Sequence, residues 1–156
     1  MMVRHALAAA LALALSAAGG QPAAAATYRV DDGASLPSET TALLRWRSVA
    51  PSRARDDLLE GAVAVVVRLN LAPWLGRNAR LYIVLPEQGT ALTRASWSTQ
   101  GRLLPGEISP GQRVLVYQGP ISNPVLEETL TIQLDADGNR MSGTQRLKFH
   151  FEIDTE

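Results

Sequence analysis

Apolar and polar residues alternate along most of this chain beyond residue 27. From Ala62 to Leu71, Val63, Val65, Val67, Leu69 and Leu71 fall on one side, and Ala64, Val66, Arg68 and Asn70 on the other. A period of two puts successive side chains on opposite faces of a strand. The branched residues suit a pleated surface and lose rotamer freedom in a helix. The same rhythm predicts strands over Arg80–Leu85, Ala91–Thr99, Arg113–Gln118 and Thr129–Asp135. Arg146–Asp154 alternates most cleanly, with Leu147, Phe149, Phe151 and Ile153 opposite Lys148, His150, Glu152 and Asp154. Tyr28–Val30 reads as a short extended start. Thr41–Val49 reads as a half-buried strand with Leu44 and Trp46 inward.

Turn chemistry separates these runs. Asp31-Asp32-Gly33, Pro86-Glu87-Gln88-Gly89 and Gly119-Pro120 are breaks, and Asp137-Gly138 reads as a hairpin turn. Gly101–Gly111 reads as a loop holding one short strand. Ser52–Glu60 is the one segment that reads as a helical turn, with Ser52 as its cap and Gly61 as its stop. Seven or eight strands at regular spacing, with at most one short helical segment, predict an all-β, immunoglobulin-like antiparallel sandwich. A small barrel is the alternative.

The first 26 residues do not fit this pattern. Arg4 and His5 precede an Ala/Leu run from Ala6 to Ala18, Gly19, Gly20 and Pro22 break it, and Ala24-Ala25-Ala26 forms a small-residue site. These are the three parts of a secretory signal peptide. The run is about 13 residues, short of the roughly 20 that span a bilayer. The expected organisation is a cleaved signal peptide over 1–26 and one domain over 27–156, with no transmembrane segment in the mature chain. The chain has no cysteine, which removes disulfides and thiolate chemistry and fits a bacterial periplasmic or extracellular location.

Charge narrows the partners. Fifteen basic residues balance fifteen acidic ones, and all the basic ones but Lys148 are Arg, scattered singly. Nucleic-acid binding needs a basic stripe, and none forms. His150 is the single histidine of the mature domain, without a nucleophile motif, so no catalytic residue is assigned. Neighbouring acids such as Glu127 and Glu128 point to opposite faces and read as surface residues. Asp135-Ala136-Asp137-Gly138-Asn139 starts like a calcium loop but has its Gly at the fourth position and Arg146 in place of the closing Glu. No metal or cofactor is expected.

Two sets of residues remain as candidate sites. Trp74, in the Ala72-Pro73-Trp74-Leu75-Gly76 break, together with Tyr82 and Tyr117, would stack on a glycan if the three lined up; a plug at the end of the core is the other reading of Trp74. Trp46 and Trp97 read as core. The last strand, through Phe149, Phe151 and Ile153, reads as a sheet edge able to pair with another chain, and Tyr28–Val30 is a second segment able to pair in this way. The expected function is a non-catalytic interaction or assembly component of the bacterial cell envelope, with another envelope protein as partner. A polysaccharide-binding module is the alternative, and a hydrolase with unlocated carboxylates the third.

Overall fold

The computed structural model describes residues 26–37, 43–46, 58–87, 91–141 and 147–155. They form ten strands: β1 Ala26–Arg29, β2 Leu36–Pro37, β3 Arg45–Trp46, β4 Leu58–Asn70, β5 Asn78–Leu85, β6 Leu92–Ser98, β7 Gly106–Ile108, β8 Gln112–Pro120, β9 Val125–Asp137 and β10 His150–Thr155. Two antiparallel sheets stack on one another. The smaller has the order β1-β10-β5-β8; the larger runs β2-β4-β9-β6-β7, with β3 also on β4. The fold is therefore an all-β sandwich. β3 lies within the strand expected over Thr41–Val49, whereas the two-residue β2 was not expected, being too short to leave a periodic signal.

The longest ladder joins β4 to β9 through thirteen paired residues, Leu58↔Asp137 to Asn70↔Val125. The Val-rich run predicted over 62–71 is its centre, and Val67 and Leu69 are fully buried. From the opposite sheet, Leu81, Phe151 and Ile153 meet them, each at 0 % exposure. Full burial of an aliphatic or aromatic side chain contributes about 1.5–3 kcal/mol, so this shared core is the main source of stability. One edge of the sandwich is closed where the Leu104 N–H donates to the Val116 carbonyl at 2.7 Å.

Four expectations change. Leu58, Leu59 and Glu60 are strand, not part of the helical turn predicted over 52–60; residues 52–57 lie outside the described residues. Among the described residues the helical pieces are two 3₁₀ turns, Ala72–Trp74 and Gly138–Arg140. Asp137-Gly138 does not form a hairpin. β9 pairs with β4 and β6, whereas β10 pairs with β1 and β5, so the chain crosses between sheets after this turn. Trp46 is 55 % exposed rather than core; the small cluster of Leu59, Ala91 and Ala136 at that end is covered by Leu44 and Met141 instead.

Glu128 also departs from its expected surface role. On β9 it sits in the row that includes Leu126, Leu130 and Ile132, and it is half-buried. The Arg102 and Leu103 N–H groups and the Thr99 hydroxyl donate to its carboxylate. An inward acid is tolerated because its oxygens are hydrogen-bonded. The contact pins the loop between β6 and β7 beneath the sandwich edge. Trp97 is fixed close by, its indole N–H donating to the Leu104 carbonyl at 2.8 Å. Gly106 faces this ring so closely that a Cβ would lie 2.8 Å from it.

Urea unfolding should separate the two tryptophans. Trp97→Ala is expected to cost about 3–5 kcal/mol, and Trp46→Ala to stay within about 0.5 kcal/mol of wild type, as an exposed residue does. Equal losses would contradict the assignment of core and surface.

Candidate interaction edge

The C-terminal strand is not an edge. β10 lies between β1 and β5, paired to β1 from Ala26↔Thr155 to Arg29↔Glu152 and to β5 from His150↔Val84 to Thr155↔Ala79. Its inward residues Phe151 and Ile153 are core, and Phe149, half-buried, packs edge-on against Phe151 with ring centroids 5.9 Å apart. Phe149, Phe151 and Ile153 thus hold the sheets together, and the backbone groups of β10 are used on both sides. The edge belongs to β1.

β1 is a slender strand. All four of its residues are exposed. Its attachment consists of the ladder to β10, the ring of Tyr28 set 6.1 Å from that of Trp74, and the next residue, Val30, which is 1 % exposed. The Val30 N–H donates to the Phe151 carbonyl at 2.9 Å. After Val30 the chain crosses to the larger sheet, where Asp31 bridges Asn70.

A polar network covers the outer face of the smaller sheet and touches all four strands. From β8, Arg113 reaches across β5 with its guanidinium 3.5 Å above the Tyr82 ring. It donates to Glu152 at 2.8 Å and to Asp154 at 2.6 Å on β10. Asp154 also accepts from the Thr27 hydroxyl of β1 at 2.6 Å, and His150 lies 3.3 Å from Glu152. The Arg113 hydrogen bond holds the Asp154 carboxyl below its ordinary range; burial opposes this, and the Thr27 hydroxyl reinforces it. Burial works against the charge on Arg113, but its hydrogen bonds to Asp154 and Glu152 prevail and raise its pKa. Charge-assisted bonds are roughly twice as strong as neutral ones. The network therefore ties the outer side chain of β1 to the sheet.

The three aromatic candidates do not form a platform. Trp74 is 9 % exposed and plugs the end of the core against Tyr28. A bulge in β8 separates the other two: Leu81 pairs with Tyr117 but Tyr82 with Leu115, leaving Val116 extra. Tyr82, between the inward Leu81 and Ile83 of β5, faces outward under Arg113. Tyr117 packs on the core and donates its hydroxyl to the Pro120 carbonyl at 2.8 Å. The exposed tryptophan is Trp46, which with Leu43, Arg45 and Glu60 lines an open depression of about 470 Å³ on the larger sheet. Sequence alternation placed it inward because Leu44 shares its side.

The acids of the calcium-like stretch have other partners. Asp135 accepts from Arg94 at 2.7 Å, and Asp137 accepts the Asn139 N–H of its own turn at 3.0 Å. Comparison with protein-family models, curated proteins and solved structures finds no match to this chain.

A lowered carboxyl pKa adds stability above the unfolded-state value of about 3.9 and loses it as pH falls through the folded value. Asp154→Asn should cost about 1–2 kcal/mol at neutral pH, read from the urea midpoint. The gap to wild type should close on acidification below about pH 4. A gap independent of pH would contradict the network's role.

Proposed function

We propose that this domain is a non-catalytic interaction module of the bacterial cell envelope, exported by its N-terminal signal peptide, that takes up an added strand at the β1 position beside β10. The observation that carries this reading is the composition of that edge. The strand occupying it is short, none of its four residues is buried, and its contacts with the core are Tyr28 against Trp74 and the following Val30. Each net hydrogen bond contributes about 0.5–1.5 kcal/mol. Ordering each residue costs about 1–2 kcal/mol, so docking of β1 is close to balanced. Removing it bares a row of N–H and C=O groups on β10, and strand addition uses such a row.

Two features support the reading further. The sequence proposes processing after Ala26, so the processed chain would begin at Thr27, inside β1, and keep Thr27–Arg29 of this strand. The Thr27 site on Asp154 and the Tyr28 site beside Trp74 lie on opposite faces, giving an incoming strand alternate side-chain contacts. Backbone pairing would supply affinity, and these contacts specificity.

A labelled peptide of residues 27–33 tests the reading. The tethered β1 competes at an effective concentration of order millimolar, so the processed wild type should bind the peptide weakly but saturably. Val30→Ala in the protein loosens the resident strand and should strengthen binding at least tenfold. Proline in place of Tyr28 in the peptide removes a ladder N–H and should abolish it. No binding by the folded Val30→Ala protein would overturn the proposal.

A further inference from the structure

We infer that the strand added at this edge comes from a second copy of the same chain, so that the protein self-assembles by exchanging β1; this rests on the strand-addition reading above. The position makes several separate demands. An occupant needs a small hydroxyl opposite Asp154, an aromatic ring beside Trp74 and a branched aliphatic residue for the buried site next to Phe151. Thr27, Tyr28 and Val30 meet them in that order. Every copy of the chain carries this strand. Exchange between copies therefore recovers every contact that the resident strand makes, and the remaining cost is that of opening the connection to β2 and bringing two molecules together.

The connection permits the transfer. Asp31–Ser35 links β1 to β2 through a turn held by Gly33 N–H donating to the Asp31 carboxylate at 3.1 Å and Ser35 N–H donating to the Asp32 carbonyl at 2.8 Å. Opened out, five residues span about 17 Å. That carries β1 away from its own sheet and keeps donor and acceptor side by side. β1 is also the first strand of the described chain and sits at an edge, so it leaves its place without threading past another element. Fourteen basic residues, without Arg4 of the removed segment, against fifteen acidic ones leave a formal net charge of about −1 on the processed chain and little overall repulsion between copies.

The absence of native cysteine makes a clean test. The Val30 N–H bond to the Phe151 carbonyl sets the alternation of the ladder. Arg29 and Glu152 then form a non-hydrogen-bonded pair, with Cα atoms about 4.5 Å apart, within disulfide range. Arg29→Cys and Glu152→Cys are made separately, mixed and oxidised. The proposal expects a disulfide-linked dimer joining the two variants, well above the level from either variant alone and rising with protein concentration. The double variant, oxidised when dilute, should lock its own β1 and stay monomeric where wild type associates. Its reduced form, with wild-type circular dichroism and a single cooperative urea transition at a midpoint lowered by the lost Arg113–Glu152 bond, confirms that the fold is kept.

Mixed variants that link no more than each does alone, beside a monomeric wild type, would overturn self-exchange. If the residue 27–33 peptide still binds, the edge takes strands from a different protein and the proposed function stands. If the peptide also fails on the folded Val30→Ala protein, both proposals fall together.

Discussion

The backbone of β10 has to be paired on both sides. This strand carries Phe151 and Ile153 into the middle of the core. Its N–H and C=O groups lie within a sheet, where an unmade hydrogen bond costs about 1–3 kcal/mol if the group is buried. β5 satisfies one side through a six-residue register. The other side depends on four residues at the start of the described chain. The sandwich thus has a well-packed interior and one flank closed by a strand with little burial of its own. Stability and proposed function meet at that flank.

The polar network on the outer face follows from the same arrangement. Because β5 separates β8 from β10, Arg113 has to lie over Tyr82 to reach Glu152 and Asp154. The aromatic ring excludes water from one side of the guanidinium and supports it through a cation–π contact. Asp154 is then held ionised and ready to accept from Thr27. An incoming strand with a hydroxyl at this place meets an acceptor already oriented. A strand with an apolar residue there leaves the carboxylate one partner short.

Periodicity made the fold class legible, along with the inward rows of β4, β5, β9 and β10, because two-sided burial imposes a period of two on each strand. Its failures have physical causes. Trp46 follows the inward rhythm of Leu44, yet the cluster at that end is small and closed by other residues. Asp137-Gly138 has hairpin chemistry, but a turn does not specify which sheet the next strand joins. β10 is the last strand in sequence and an inner strand in space, and strand order depends on long-range pairing that no local pattern encodes. The network of Arg113, Glu152, Asp154 and Thr27 was hidden for the same reason. Its acids stood out on the polar side of the last strand, while their partners come from β8 and β1, far away in sequence.

Native-state hydrogen exchange of the processed protein tests most directly whether β1 is a detachable strand on a stable body. Local opening has a lower free energy than global unfolding and depends only weakly on denaturant. The account predicts that the amides of Tyr28 and Val30 exchange through such an opening, orders of magnitude faster than those of Val67 and Leu130 in the β4–β9 ladder. Exchange of all four with one free energy and one denaturant dependence would show that β1 leaves only when the whole domain unfolds, and would contradict it.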